Sequence, residues 1–199
     1  KLFPAFAKLA GIDASKVTIT NMAPNLRETM LQRGQVDGVF GFVNTISFSA
    51  RLAGIDPDKD FRFINYVDYK MDLYSNTLVV SQKLAKDNPK AASGIVRAFN
   101  RGLAETLKDF DRAIEAVARR EPLIKKDIEK ARLIATLKAE MSHPEVARIG
   151  IGDVDDERFK RGIVIVAEAN QLPRVPGANE VFTRAFLPPP AERIKLLGG

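Results

Sequence analysis

Two short segments of the sequence combine polar side chains with the start of a predicted helix, and this combination suits the binding of a small anion. They span residues 21–25 and 41–45. Free backbone N–H groups and the helix dipole at such a position favour a carboxylate, a sulfonate or a similar anion. Side-chain amides add hydrogen bonds, and a phenylalanine ring can stack on a planar ligand. The candidate ligand-binding residues of the two segments are Asn21, Pro24, Asn25, Phe42, Asn44 and Thr45.

The third candidate cluster holds all three tyrosines of the chain, Tyr66, Tyr69 and Tyr74, within nine positions. Clustered tyrosines and aspartates in a loop fit the wall of a pocket for a small polar or aromatic ligand. A structural role is the alternative at every cluster: Asn25 and Asn44 as helix N-caps, and the tyrosine rings as part of the core. The candidate binding residues of the third cluster are Asp68, Tyr69, Tyr74 and Asn76.

The elements expected to position these clusters alternate between strand and helix patterns up to about residue 80. β-Branched and aromatic runs predict four strands, and apolar residues at helical spacing lie between them. Asn25 and Glu28 form a capping-box pair, and Asn44 or Thr45 can cap the following helix. Repeated strand–helix–strand units predict an α/β fold with a parallel, doubly wound sheet, in which ligands bind at the carboxyl ends of the strands. The predicted strands are residues 16–20, 36–42, 61–66 and 78–80.

Helical patterns dominate from Asn88 onward. Asn88 is a predicted N-cap with Pro89 at the first helical position, and apolar residues then recur every three or four positions. Further helices are predicted to begin at Asp111, near Asp127 and after Asp155. The sequence therefore predicts a sheet-containing first part followed by a helix-rich C-terminal region.

Composition excludes several kinds of chemistry. The 199 residues contain no cysteine and one histidine, His143, so neither a disulfide nor a multi-histidine metal site is available. The net charge of +6 comes from basic residues interspersed with acidic ones, which indicates solvated helix faces and argues against nucleic-acid binding. The sequence has no apolar run long enough for a membrane span and no P-loop, dinucleotide or nucleophile-elbow motif. We expect no enzyme activity, no catalytic residue, no metal site and no cofactor.

The run from Asn21 to Thr45, with its Gln-x-Gly-Gln-Val-Asp turn at residues 32–37, resembles the second lobe of substrate-binding proteins of the nitrate/sulfonate/taurine ABC-transporter family. That group shares its fold with binding proteins for thiamine pyrimidine precursors. Residues 68–76 resemble the segment by which the chain leaves that lobe. Further similar motifs extend the resemblance over nearly the whole chain; they are Asn88-Pro89, Arg120-Glu121-Pro122, Gly152-Asp153-Val154-Asp155 and Val181-Phe182-Thr183.

The resemblance implies a type II periplasmic-binding-protein fold, in which two lobes hold a small anionic or heteroaromatic solute and deliver it to ABC permease subunits. Residues 1–76 would form the ligand-binding second lobe without its first strand. Residues 77–199 would form the hinge return and a helical part packed with the first lobe. An N-terminal portion and a signal peptide are expected to lie outside this sequence, in a periplasmic protein. Self-association of the chain is a further expectation, because a missing strand leaves backbone groups unpaired.

Two alternative functions use the same fold. The effector-binding domain of a LysR-type transcription regulator has a similar length, but it needs more strands in its second half. A pyrimidine synthase of the thiamine pathway would need histidine-rich or cysteine-rich chemistry, which this composition lacks. The identity of the solute stays open among sulfonates, nitrate, aromatic carboxylates and pyrimidines.

Overall fold

Helices and the segments that join them make up residues 2–195, the part of the chain described by this computed structural model. The first half contains four α-helices: α1 Phe3–Ala10, α2 Arg27–Gln32, α3 Val43–Leu52 and α4 Pro57–Asp60. The second half contains α5 Gln82–Asp87, α6 Pro89–Lys108, α7 Phe110–Ala118, α8 Lys126–Glu140, α9 Glu145–Ile149, α10 Asp156–Ala169 and α11 Ala178–Val181. Short 3₁₀ turns occur at Ala14–Lys16, Pro24–Leu26, Tyr66–Tyr69 and Pro190–Glu192.

The prediction of an α/β fold with a parallel, doubly wound sheet is wrong for the described residues. They are 59% helical and contain no β-strand. β-Branched and aromatic residues do favour extended backbone locally, as at Val17 and Phe61. A strand also requires hydrogen bonds to a neighbouring strand, and no such ladder links residues 16–20, 36–42, 61–66 and 78–80.

The core of the first half forms around α1. Phe6 is buried, and its ring stacks on Tyr66 with the ring centroids 4.5 Å apart. Met71 completes this cluster, and Ile165 and Ala169 of α10 pack against it. Gly11 ends α1 in the left-handed conformation with φ 69°, which glycine adopts without steric cost. The cluster therefore joins the N-terminal helix to the C-terminal part of the chain.

The C-terminal helices begin where short polar side chains cap them. The predicted N-cap Asn88 is confirmed, because its side chain accepts a hydrogen bond from the Ala91 N–H at the start of α6. The predicted cap Asp155 of α10 is confirmed in the same way. Asp111, in contrast, lies inside α7, because Asp109 accepts from the Arg112 N–H and starts that helix two residues earlier.

Two predicted N-caps of the first half are wrong. Pro24 starts a 3₁₀ turn, so Asn25 lies within the turn, and α2 begins only at Arg27. Glu28, the predicted capping-box partner, is buried instead. The N-cap of α3 is Phe42, whose side chain cannot accept a hydrogen bond. Asn44 therefore lies one residue inside α3 and does not cap it.

The chain exposes a large surface for its mass. Its accessible area is 13983 Å², whereas a compact 22.0 kDa monomer exposes about 9300 Å². Part of the apolar exposure lies in the segments predicted as strands, including Ile19, Phe40, Ile64 and Val79. Among the described helices, none is both long and apolar enough to cross a bilayer.

Candidate functional site

The first two candidate segments meet at a glycine. Gly41 precedes α3, and a methyl group at its Cα would lie 3.4 Å from Nη1 of Arg27 and 2.9 Å from Cδ1 of Ile46. Arg27 is the first residue of α2, so its guanidinium bridges from the segment of residues 21–25 to the segment of residues 41–45. The structure thus brings the starts of α2 and α3 together.

Arg27 is half-buried, and within residues 2–195 its side chain makes neither an ion pair nor a hydrogen bond. An arginine in this state keeps five N–H donors in a planar fork that suits a carboxylate, a sulfonate or another planar acceptor. Sequence reasoning did not single out Arg27. The sequence feature that could have indicated Arg27 is its position directly after the Pro24 turn, at the start of the next helix.

The start of α3 offers backbone donors beside Arg27. The N–H groups of Val43, Asn44 and Thr45 make no hydrogen bond within the described part of the chain. Because Phe42 cannot cap the helix, the positive end of the α3 dipole stays open to a ligand. The ring of Phe42 is 49% exposed and stands at the same helix end. The Arg27 guanidinium, the free N–H groups of α3 and the Phe42 ring therefore lie at the same helix end.

The other candidates of these two segments have different surroundings. Asn21, Pro24, Asn25 and Thr45 are exposed to solvent. Asn44 is half-buried, and its Nδ2 donates to the backbone oxygen of Ala135 in α8, 3.4 Å away. The Asn44 amide thus holds α3 against α8, which leaves its Oδ1 for any further partner. That these residues contact a solute stays a prediction.

The tyrosine cluster lies against α1 and α10. Tyr69 approaches Phe6 edge-on, with the centroids 5.2 Å apart, and Tyr66 stacks on the same ring. Asp68 and Asn76 are exposed, and their side chains form no hydrogen bond within residues 2–195. The alternative role foreseen for the tyrosines, rings packed on the core, is therefore present at Tyr66 and Tyr69.

Tyr74 is half-buried and packs against the start of α10. Its hydroxyl oxygen accepts a hydrogen bond from the Asp155 N–H at 2.7 Å, and its ring makes an edge contact with Phe159. The Arg158 guanidinium lies 4.3 Å from the ring centroid, at a cation–π distance. Burial, together with the Glu145 carboxylate, raises the pKa of Tyr74 to about 12. Tyr74 is thus fixed in place by its protein neighbours.

Arg158 ties the same segment to two carboxylates. One Nη lies 2.6 Å from Asp72 and the other 3.1 Å from Glu145. The side chains of Arg158 and Glu145 are only 13% and 10% exposed, so solvent screens this pair weakly, whereas Asp72 is 43% exposed. Sequence reasoning missed this residue, because its partners lie 86 and 13 positions away. The pairs hold residues 72–74 against α9 and α10.

Two clefts open elsewhere on the described surface. One, of about 540 Å³, lies between α6 and the tail around Pro188, with Arg97 and Arg101 at its edge. The other, of about 420 Å³, lies beside Arg158 and His143. None of the ten predicted ligand-binding residues lines either cleft. Within residues 2–195, no group of three or more potential ligands could hold a metal ion.

Comparison with known proteins places the chain in a family. Residues 1–113, more than half of the chain, match the model of the family described as NMT1/THI5-like. The chain belongs to this family. No curated protein matches the sequence of this NMT1/THI5-like protein.

Family membership confirms the sequence-based resemblance and gives the function in outline. The NMT1/THI5-like domain indicates a solute-binding protein of the ABC-transporter type. Members of the family are substrate-binding proteins, which are generally not enzymes and usually periplasmic or extracellular. The match covers α1 to α6 and the start of α7, and it therefore includes all three candidate clusters.

Proposed function

We propose that this NMT1/THI5-like protein binds a small anionic or heteroaromatic solute where α2 and α3 begin, and that it delivers the solute to the permease subunits of an ABC importer. The observation that carries the proposal is the half-buried guanidinium of Arg27 beside Gly41, without an ion-pair partner in the described chain. Anions bind where a cation and free helix N–H groups converge.

The aromatic part of the proposal rests on Phe42. Its half-exposed ring is next to the free N–H groups of α3, so a planar ligand can stack on the ring while its acidic group reaches Arg27. A benzene or pyrimidine ring carrying an acidic or strongly polar group fits this arrangement. Asn21, Pro24, Asn25 and Thr45 surround the same two helix starts and supply the rim.

The third cluster contributes in a different way. Asp68, Tyr69 and Asn76 are accessible from solvent and remain proposed solute contacts at the segment that leaves the binding lobe. Tyr74 has mainly a structural role, because its hydroxyl accepts a hydrogen bond from Asp155 and its ring contacts Arg158 of α10. We assign residues 1–76 to the ligand-binding lobe and residues 77–199 to the hinge return and the helical part that packs with the other lobe.

The permease and the periplasmic location follow from the proposed role as an ABC receptor. A receptor is favoured over the effector-binding domain of a LysR-type regulator, because the matched family consists of substrate-binding proteins. The composition, with one histidine and no cysteine, favours a receptor over an enzyme of pyrimidine synthesis. A solute bound at the open surface beside Arg27 would be covered by the other lobe, and contacts to both lobes would drive closure.

A thermal-shift experiment with matched ligand pairs tests the proposal. Each pair contains an anion and a neutral molecule of similar shape: benzoate with benzamide, and methanesulfonate with dimethyl sulfone. We expect stabilisation by at least one anion and by neither neutral molecule, because ligand binding to the folded state raises the melting temperature.

The variants Arg27→Ala and Arg33→Ala provide the control. Both remove one arginine from α2 or its C-terminal end, but Arg33 is exposed at the C-cap, whereas Arg27 begins the helix and lies beside Gly41. Arg27→Ala should reduce affinity for the stabilising anion by about tenfold or more, which corresponds to one charged hydrogen bond. Equal loss in both variants, or retained affinity in Arg27→Ala, would contradict the proposal.

A further inference from the structure

Residues 72–80 form a stretch of extended backbone without hydrogen-bonded neighbours. Residues 71–81 contain no helix, turn or bend. Within the described chain, no backbone N–H or C=O group of residues 72–80 makes a hydrogen bond. An edge of this kind offers a ready partner for a strand from another chain.

The two ends of this stretch are held in place. At the N-terminal end, Leu73 packs against Gly162, and Tyr74 accepts a hydrogen bond from the Asp155 N–H. At the C-terminal end, Ser81 caps α5 by accepting from the Leu84 N–H. Residues 76–80 therefore span between two anchors, and less conformational entropy is lost when they pair with another strand.

The composition of the stretch favours pairing over solvation. Residues 73–82 contain no charged residue, no proline and no glycine. Leu78 is 47% exposed and Val79 is 79% exposed, in a chain whose net charge is +6. An uncharged, β-branched edge lacks the charges and prolines by which exposed strands normally avoid association.

We propose that residues 76–80 are a self-association surface, at which two copies of this chain pair as antiparallel strands. Pairing centred on Leu78 places Leu78 opposite Leu78 and Thr77 opposite Val79, with no charge facing another charge. A two-fold axis makes the contact identical in both copies, as a closed dimer requires. The inference does not depend on solute binding.

The exposed area supports a second copy as the occupant. The chain exposes about half as much surface again as a compact monomer of its mass. This excess is several times the roughly 800 Å² per partner that a stable interface buries. The exposed side chains of Leu78 and Val79 contribute to this excess and would be covered by the second copy.

Sedimentation velocity over a concentration series, from about 1 to 200 µM, tests the inference on the full 199-residue chain. We expect a reversible, concentration-dependent monomer–dimer equilibrium. Hydrogen exchange on the same samples should show amide protection within residues 76–80 that increases with protein concentration. A chain that stays monomeric throughout, or that forms only irreversible aggregate, would overturn the proposal.

Two single-proline variants distinguish strand pairing from general apolar contact. Leu78→Pro and Val79→Pro each remove one N–H, and adjacent N–H groups point to opposite edges of a strand. One variant should weaken dimerisation by about tenfold or more, and the other much less. The control Leu123→Ala removes a leucine that is even more exposed, from the turn before α8, and should leave the dimer unchanged. Equal effects in both proline variants, or none in either, would contradict strand pairing.

Discussion

Side chains of the same type have different roles in this protein, depending on their neighbours. Arg158 is paired with two carboxylates and stacked on Tyr74, so it fastens one segment of the chain to another. Arg27 has no such partner within residues 2–195, so its donors remain available. The same contrast separates Tyr74, whose hydroxyl accepts a hydrogen bond, from Tyr69, whose hydroxyl has no partner among the described residues.

Removing the hydroxyl of Tyr74 should therefore affect stability and leave solute binding unchanged. Tyr74→Phe leaves the Asp155 N–H without its acceptor and should lower the free energy of unfolding by about 1 kcal/mol. Urea denaturation measures this change. Tyr69→Phe is the matched control, because its hydroxyl makes no hydrogen bond in the described chain. Equal destabilisation of the two variants would show that the Asp155 bond is not the cause.

Sequence reasoning located the two helix starts but not the residue that joins them. Asn25 and Asn44 were expected to cap helices because asparagine commonly does so, yet Pro24 moved the start of α2 to Arg27. The contact between Arg27 and Gly41 depends on the packing of α2 against α3. A contact across 14 positions, which include the irregular segment of residues 33–40, leaves no periodic signal in the sequence.

At the scale of elements, the loop before α10 is held by one carboxylate. Asp153 accepts from Arg184 Nε at 2.6 Å and from Arg193 Nη1 at 2.5 Å, so it ties this loop to the C-terminal segment. Burial alone would raise the pKa of Asp153, but the hydrogen bond from the Val154 N–H and the two arginines bring the pKa below its ordinary value. The Asp153 carboxylate therefore stays charged to a lower pH in the folded protein than in the unfolded chain.

Asp153→Asn should lower the free energy of unfolding by about 3 kcal/mol near neutral pH, because two arginines lose their buried partner. A lowered folded-state pKa stabilises the protein above the ordinary value of 3.8, and this contribution is lost as the pH falls below it. Denaturation across this pH range should show the variant and the wild type converging at acid pH. Asp156→Asn, at an exposed carboxylate whose one ion pair among residues 2–195 is with Arg184, should lower the free energy of unfolding far less. A constant difference at every pH would contradict the account.

Helices were predicted well where the decisive interaction is local. Asn88 and Asp155 cap α6 and α10 through N–H groups two or three residues away, and such spacing can be read directly from a sequence. The four strands were predicted from β-branched and aromatic runs, but a strand depends on a partner from elsewhere in the chain. None of the four finds one among the described residues.

At the scale of the whole molecule, family membership was more predictable than architecture. The ordered motifs from Asn21 to Thr45 indicated the family that residues 1–113 match. The large exposed area could not be foreseen, because a composition with 45% hydrophobic residues does not show which of them pack together. Apolar residues of the extended segments, such as Ile19 and Val79, are exposed at the surface of the described chain.

The central claim is that an anionic solute binds where α2 and α3 begin. Two-dimensional NMR of the labelled chain, titrated with the anion that stabilises it most, tests this claim residue by residue. The account predicts that the largest shifts occur at the amides of Val43, Asn44 and Thr45 and at the Arg27 side chain. Shifts confined to the cleft beside Arg97 and Arg101, with the start of α3 unchanged, would contradict it.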